Sequence, residues 1–271
     1  MNNPYLPIAA TIEEIIEESA SIKTFVIRPD EEIVFETGQF VELTVPGVGE
    51  APFTPSSSPS VSERMEITIM EAGSITRLLH GMSPGAKVGL RGPYGVGYPL
   101  EKFRGRPVVI VGGGVGLAPL RSLLLALMEE IQLYDTIYLK YGAKTPGDII
   151  YRRLIPEWAE VEGLDVTLTV DGGDEDWKGN VGVVTTILDD GRIDPAKAVA
   201  VACGPPIMMK FATSRLLELG YREDEIYLSM ERNMSCGIGK CGHCRLGEYY
   251  ICKDGPVFTW NKIKHVEEPF A

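Results

Sequence analysis

The chain has 271 residues, 44% hydrophobic and 24% charged, which is ordinary globular composition with room for two medium domains and a small third one. Its formal net charge of −12 argues against nucleic acid as a partner, because phosphate binding favours a basic surface. The amino-terminal residues lack the basic and apolar regions of a signal peptide, and no apolar run is long enough to span a membrane. We therefore expect a cytoplasmic protein without direct membrane insertion, in a compartment that keeps thiols reduced.

The first hundred residues contain short β-rich segments that are separated by Pro, Gly, Asp and Ser turns. The predicted strand segments are 11–27, 39–45, 65–69 and 87–90. A short helix is predicted from Ser74 to Leu79, because Gly73 precedes it and Gly81 follows it closely. Short strands at this spacing predict a small antiparallel β barrel, which we place at residues 1–103.

From residue 104 onward, strands and helices alternate. The predicted strands are 108–111, 136–141, 166–170, 198–202 and 226–229, and the predicted helices are 120–130, 149–159, 183–188 and 207–219. This alternation predicts a doubly wound parallel sheet in an α/β domain at residues 104–230, with 226–229 as its last strand. The remaining residues, 231–271, would form a small third domain.

Two loops follow predicted strands at the same edge of this sheet. In the first, Gly113, Gly114 and Gly116 leave the backbone open to phosphates, and the following helix N-terminus favours anions. The second loop consists of Cys203, Gly204 and Pro205. Since ligands bind at this edge of open α/β sheets, the two loops indicate one bound cofactor. A tight packing turn and a small buried cysteine are the alternatives without a ligand.

An aromatic ring and several hydroxyls follow one another in the barrel, a combination that suits a flavin. The residues of this loop are Pro52, Phe53, Thr54, Ser56 and Ser57. Farther along, Gly73, Ser74 and Thr76 open the short helix and offer N–H groups and a hydroxyl to a pyrophosphate. An ordinary Pro/Ser loop and a plain helix N-cap are the alternatives.

Four cysteines near the carboxyl end have the spacing C-x4-C-x2-C-x7-C. They are Cys236, Cys241, Cys244 and Cys252. This is the plant-type spacing of a [2Fe–2S] cluster, and glycines lie between the first three ligands, where the loop must curl tightly. A zinc site or a disulfide scaffold is the alternative, although zinc sites usually pair two short knuckles and only one C-x2-C is present.

In their order along the chain, these motifs resemble the ferredoxin–NADP reductase superfamily. The stretches that carry the resemblance are 52–57, 73–76, 91–95, 112–120, 203–206, 234–244 and 252–258. More narrowly, the chain resembles the iron–sulfur flavoprotein branch. That branch contains electron-transfer subunits of nickel–iron (sulf)hydrogenase, dihydroorotate dehydrogenase, a ferredoxin-coupled transhydrogenase and anaerobic sulfite reductase. Residues 3–7 and 255–259 look most like the hydrogenase gamma subunits.

The resemblance implies FAD in the barrel, NAD(P)H on the α/β domain, a [2Fe–2S] cluster in the tail and a partner subunit in a larger redox complex. It also implies catalytic roles for Thr54 near the flavin N5 and for Cys203 on the nicotinamide side, with Phe53 packed on the flavin ring. The family motif has an arginine where this chain has Ala51, so we expect weaker retention of FAD.

Three questions stay open at this point. The carboxylates of Asp171 and Asp174 follow the strand that ends at Val170 and favour NADH over NADPH, although Lys144 and Arg152 could still reach a 2′-phosphate. The partner subunit and the direction of electron flow are not encoded in any motif. A redox-sensing or scaffold module that transfers no electrons is the alternative from a different functional class.

Overall fold

The computed structural model describes residues 3–270. Its first sheet is antiparallel and barrel-like, with the strand order β4-β3-β6-β1-β2-β5. The elements of this region are β1 (Ile8–Ser19), β2 (Ile22–Pro29), β3 (Phe40–Val45), β4 (Gly49–Phe53), β5 (Met65–Met70), α1 (Ser74–His80) and β6 (Lys87–Tyr94). The antiparallel barrel predicted from the sequence is confirmed.

Two details of the barrel differ from the prediction. The predicted segment 11–27 is a hairpin, in which β1 and β2 pair on either side of a turn at Ala20 and Ser21. Strand β4 was not predicted, because it contains Gly49 and Pro52, which disfavour strands. It lies at the edge of the sheet, where a proline costs no ladder hydrogen bond.

The second sheet has seven strands in the order β10-β9-β8-β7-β11-β12-β15, where β15 is Val257–Thr259. All of its pairs are parallel except the last. The elements of this region are β7 (Val108–Gly113), α2 (Leu117–Glu129), β8 (Ile137–Ala143), α3 (Ile155–Ala159), β9 (Leu164–Val170), β10 (Asn180–Val181), β11 (Val199–Cys203), α4 (Pro206–Leu219) and β12 (Ile226–Ser229). The predicted doubly wound sheet is therefore confirmed, with β7 at its centre.

Two predicted helices are shorter than expected. Only Ile155–Ala159 of the predicted helix 149–159 is helical, because Tyr151 has a φ of 56° and interrupts the turn before it. The predicted helix 183–188 is a single 3-10 turn at Val184–Ile187, in a run of β-branched residues that disfavour helix. Across residues 3–270, none of the helices has the length and apolar character needed to span a lipid bilayer.

The carboxyl-terminal part contains β13 (Arg245–Leu246), β14 (Tyr249–Tyr250), α5 (Ile251–Asp254), β15 (Val257–Thr259) and α6 (Trp260–Ile263). Strand β15 pairs antiparallel with β12, so it ends the large sheet that the sequence predicted to end at 226–229. Phe40 of the barrel, Leu228 of the sheet and Cys252 of the tail belong to one buried cluster. The carboxyl-terminal part from residue 231 onward, the tail, therefore shares a core with both other regions. The domain boundaries at 103 and 230 stay predictions.

A polar network joins the barrel to the α/β domain. The Tyr151 hydroxyl lies 2.6 Å from the Thr68 hydroxyl, which lies 3.1 Å from that of Ser56. Arg121 donates to the Ser56 carbonyl at 3.1 Å, pairs with Glu66, and lies 4.8 Å from the centre of the Tyr151 ring. Because these groups are largely buried and hydrogen-bonded to one another, the network fixes the position of α2 against β5.

Candidate cofactor-binding sites

The four cysteines lie on a tight loop and on the short helix after it. The loop turns at Gly237, Gly239 and Gly242, whose φ angles are 70°, 72° and 83°, a region that glycine enters without steric cost. Cys241 is exposed, and the other three cysteines are buried. The loop therefore presents one cysteine to solvent, and the other three are enclosed.

Backbone N–H groups surround the buried sulfur atoms. The Cys236 sulfur accepts from the amides of Lys240 and Cys241, both at 3.4 Å, and the Cys252 sulfur accepts from Gly239 at 3.0 Å. Burial opposes ionisation of Cys236, but the surrounding backbone N–H groups outweigh it and lower the thiol pKa to about 6. Such a loop favours anionic sulfur, which an iron–sulfur cluster requires of its ligands.

The sulfur atoms of Cys244 and Cys252 lie 3.2 Å apart. Within residues 3–270, no three Cys, His, Asp or Glu side chains form a group that would hold a single metal ion. The thiolate-favouring loop is thus the observation that fits a cluster, and the comparisons below identify its type.

The two predicted nucleotide loops touch each other at the carboxyl edge of the large sheet. A Cβ atom on Gly116 would lie 2.4 Å from the Cys203 carbonyl oxygen and 2.5 Å from the Gly204 Cα. Gly114 has a φ of 54°, and a Cβ atom there would have no neighbour within 4 Å. The turn is closed towards the sheet and open on its outer side, as the approach of a phosphate to the backbone requires.

The Cys203 thiol is held neutral. Burial raises its pKa to about 12, the nearby Glu231 carboxylate adds to the rise, and the Ser229 hydroxyl and the Gly204 N–H only partly oppose it. The Tyr98 hydroxyl is buried without a hydrogen-bond partner in the described part of the chain, and both burial and the neighbouring Cys203 raise its pKa. Ser229 and Glu231 could have been anticipated, because Ser229 ends a predicted strand at the same edge and Glu231 follows it closely.

The flavin loop begins at the end of β4, next to α1. The Ile75 side chain would lie 3.3 Å from a Cβ atom on Gly49, which places the start of α1 beside this strand. Phe53 and Thr54 are half-buried, and the Thr54 hydroxyl makes no hydrogen bond within residues 3–270. A ring and a free hydroxyl are therefore available to a flavin at this edge of the barrel.

The other predicted flavin hydroxyls bind the protein itself. Ser56 donates to the Glu66 carbonyl at 3.2 Å, and Ser57 accepts from the Glu66 N–H at 3.1 Å. The Thr76 hydroxyl accepts from the Gly73 N–H at 2.8 Å and thereby caps α1. A Cβ atom on Gly73 would have no neighbour within 4 Å, so the backbone here stays approachable. Contacts of these residues and of Ser74 with FAD remain predictions.

Arg91 is a buried residue that the sequence did not single out for a role of its own. It pairs through two nitrogens with Glu50, and it donates to the Tyr94 hydroxyl and the Pro4 carbonyl, each at 2.9 Å. A further bond of 3.4 Å reaches the carbonyl of Cys236, the first cysteine of the cluster loop. One guanidinium thus joins the barrel to that loop.

Glu42 lies beside Arg91 on the neighbouring strand and is fully buried. Both of its carboxylate oxygens lack a hydrogen-bond partner within residues 3–270, and burial raises its pKa to about 7. A Cβ atom on Gly237 would lie 3.2 Å from the Glu42 Oε1. No sequence signal marked this residue, because a glutamate at an alternate strand position normally faces water.

Comparison with known families matches each of the three regions. An oxidoreductase FAD-binding domain matches residues 9–98, an oxidoreductase NAD-binding domain matches 110–214, and the iron–sulfur cluster binding domain of dihydroorotate dehydrogenase B matches 231–264. Together with the fold and the loops above, these matches define an oxidoreductase that binds FAD, NAD and a [2Fe–2S] cluster.

Relatives along nearly the whole chain narrow this class. The sulfhydrogenase 1 subunit gamma of Pyrococcus furiosus is 36% identical over 274 residues, covering 97% of this chain and 94% of the relative. A probable dihydroorotate dehydrogenase B electron transfer subunit of Methanocaldococcus jannaschii is 34% identical, covering 97% and 93%. The chain belongs to the iron–sulfur flavoprotein branch of the ferredoxin–NADP reductase superfamily, a family of electron-transfer subunits.

Solved structures agree with this assignment. The NADH-dependent reduced ferredoxin–NADP oxidoreductase superposes with a TM-score of 0.76 at 26% identity and covers 97% of this chain and 93% of its own. The cytochrome b5 reductase domain of Ulva prolifera nitrate reductase superposes with a TM-score of 0.70 at 21% identity over 83% of this chain and 98% of its own, which shows the shared fold alone.

Proposed function

We propose that this chain is the NAD(P)H-oxidising or NAD(P)⁺-reducing subunit of a larger redox complex, with diaphorase-type activity of its own. The observation that supports this most directly is the order of the three sites. The turn Gly114–Gly116 lies against β5 at one side of the barrel, and Arg91 ties the cluster loop to β6 at the other side. The predicted flavin loop contacts both sides: it follows β4, whose Glu50 pairs with Arg91, and its Ser56 bonds to Glu66 of β5.

This order suits the chemistry of the cofactors. When bound, FAD exchanges electron pairs with a nicotinamide and single electrons with an iron–sulfur cluster. The chain would supply the orientation: Phe53 would pack on the flavin ring, and the Thr54 hydroxyl, which has no protein partner within residues 3–270, would hydrogen-bond near N5. The neutral Cys203 thiol would lie on the nicotinamide side, where it would add no charge to oppose hydride transfer.

We propose NADH as the preferred nucleotide. Asp171 and Asp174 are exposed after β9, and the N–H of Asp171 bonds to the carbonyl of Ala143 at 2.9 Å, at the carboxyl edge of the sheet. A carboxylate there would repel the 2′-phosphate of NADPH and accept hydrogen bonds from a free ribose hydroxyl.

We propose a hydrogenase of the sulfhydrogenase type as the partner, because the relatives named sulfhydrogenase gamma subunits reach 36% identity. A dihydroorotate dehydrogenase is the second candidate, supported by relatives at 34% and 33% identity. The reduced thiolates that the cluster loop needs are consistent with a cytoplasmic complex.

Anaerobic stopped-flow mixing of the holoprotein with NADH tests the relay. We expect flavin bleaching followed by loss of the oxidised cluster absorbance, with a smaller second-order rate constant for NADPH. In Cys241→Ser, a cluster-deficient variant, the flavin should still bleach and the second phase should vanish. A cluster that stays oxidised in the wild-type protein after complete flavin reduction contradicts the relay and favours a redox-sensing or scaffold module.

A further inference from the structure

The outer face of β3 and β6 is covered by the tail. Phe40 lies on this face and packs in the same cluster as Cys244 and Cys252, and its ring centre is 5.8 Å from that of Tyr94. Strands of an antiparallel sheet commonly leave one face to water. Here two polar residues of that face, Glu42 and Arg91, are buried under the cluster loop.

Arg91 is the central polar residue of this face. Its side chain is 1% exposed, and it pairs with Glu50 of β4, the strand that leads directly into the flavin loop. The same guanidinium donates to the carbonyl of Cys236. Two carboxyl groups lie beside Arg91: that of Glu50, whose side chain is 25% exposed, and that of Glu42, which is fully buried.

We propose that Arg91 is a positioning residue for electron transfer: it fixes the cluster loop relative to the flavin strand, and it holds a positive charge beside the first cluster ligand. Both effects follow from one side chain. Nε and Nη2 bind Glu50 of β4 while Nη1 reaches the Cys236 carbonyl, so the guanidinium fixes the distance between β4 and Cys236. Electron-transfer rates depend steeply on such distances. Only arginine offers enough donors in one plane for these partners.

The charge has a predictable consequence for the cluster. Reduction takes one electron from the flavin and adds one negative charge to the cluster, and a buried cation close by stabilises the reduced form. Removal of Arg91 should therefore lower the midpoint potential of the cluster. Neutralising Glu50 removes a negative charge that opposes the charge of Arg91, so it should raise the midpoint potential of the cluster. A residue that only maintained the fold would not give shifts of opposite sign.

The test uses EPR-monitored redox titration of the holoprotein at one pH. In Arg91→Gln, we expect the ratio of reduced to oxidised cluster at a fixed potential to fall at least tenfold, which for one electron is 59 mV. Glu50→Gln should raise the ratio. Arg91→Lys keeps the charge, so it should titrate closer to the wild-type protein than Arg91→Gln does.

Arg106→Gln is the matched control. Arg106 also binds a carboxylate, that of Glu225 at 2.8 Å, and backbone carbonyls including that of Lys197 at 2.8 Å. It lies at the amino-terminal edge of the large sheet, whereas the cluster loop follows the carboxyl end of β12. Its cluster should titrate like that of the wild-type protein. The proposal is overturned if the midpoint potential is unchanged in both Arg91→Gln and Glu50→Gln, or if it shifts in the same direction in both. If Arg91→Gln fails to fold, the shift in Glu50→Gln alone decides the proposal.

The positioning effect rests on the proposed relay and has its own readout. Flavin-to-cluster electron transfer, followed by stopped flow, should slow at least tenfold in Arg91→Lys, in which the fork is lost. A rate within twofold of the wild-type rate refutes the positioning effect. Failure of the relay itself would appear as absent transfer in the wild-type protein, while the opposite potential shifts could still be measured.

Discussion

Ala51 stands where the family resemblance implies an arginine that would hold an FAD phosphate. We expect Ala51→Arg to tighten FAD binding by roughly 10- to 100-fold, since a hydrogen bond to a charged group contributes about 1.5–3 kcal/mol. Retention of FAD during dialysis at high salt and titration of the apoprotein measure this. Ala51→Met, similar in length and uncharged, should bind like the wild-type protein. Equal affinities of the arginine and methionine variants would contradict the assignment of a phosphate site here.

Cys203 is the one cysteine that the predicted cluster does not use. With burial raising its pKa to about 12, its thiolate is scarce at neutral pH, whereas free cysteine has a pKa near 8.5. At pH 8 we expect iodoacetamide to alkylate Cys203 on the order of a thousandfold more slowly than free cysteine. The rate should still be rising above pH 10. Mass spectrometry of the holoprotein measures the alkylation rate. A rate that stops rising near pH 8 would contradict the raised pKa of Cys203.

At the residue scale, the sequence singled out candidate ligands but not the residues that support them. The cysteines and glycines were recognisable because their chemistry requires those residue types at fixed spacing. Arg91 and Glu42 were not, because an alternating polar residue in a strand has the same pattern whether water or another domain covers it. Only the position of the tail distinguishes the two cases.

Among the elements, the contact between the glycine turn and β11 depends on Gly116. Its φ of −62° suits alanine, so the effect of a substitution comes from the close approach to Cys203 and Gly204, 2.4 Å at the Cys203 carbonyl oxygen. Gly116→Ala should cost about 1–3 kcal/mol in unfolding free energy and weaken NADH binding. A Cβ atom on Gly191 would have no neighbour within 4 Å, so Gly191→Ala should change neither the unfolding free energy nor NADH binding. Denaturant titration and nucleotide binding measure both, and equal behaviour of the two variants would exclude close packing at Gly116.

A buried ion network joins β8, β9 and the segment before β11. Lys140 is 2% exposed at its side chain and lies 2.8 Å from Asp190 and 3.5 Å from Asp165. Asp190→Asn leaves this ammonium poorly paired and should destabilise the chain by roughly 3 kcal/mol at pH 7. Asp189→Asn next to it removes an exposed surface pair and should cost less than about 1 kcal/mol.

This network also predicts a pH dependence. Hydrogen bonds from Arg192, with a further one from Lys140, hold the pKa of Asp190 well below its ordinary value. A lowered native pKa contributes stability above about pH 4, the pKa of an unfolded aspartate, and that stability is lost as the pH falls below it. The difference in unfolding free energy between wild type and Asp190→Asn should therefore shrink from pH 6 to pH 3. A constant difference would contradict the linkage.

For the whole molecule, the tail behaves as part of the core. Strand β15 completes the large sheet, and Phe258 packs with Phe40 and Leu228. Loss of the iron–sulfur cluster should therefore destabilise all three regions. We expect Cys252→Ser to lower the melting temperature of the entire chain in one calorimetric transition. An early separate transition of the tail, with the main transition unchanged, would show an independent domain.

The sequence by itself determined the barrel, the alternating α/β domain, the glycine turn and the four-cysteine loop, because strand and helix periods and ligand spacings are local properties of the chain. Only the tertiary structure decided that β15 closes the large sheet, that Tyr151 interrupts a predicted helix to reach Thr68, and that Arg91 connects β4 to Cys236. These features depend on contacts between residues far apart in the chain. Such contacts form only when the regions pack, and no local pattern records them.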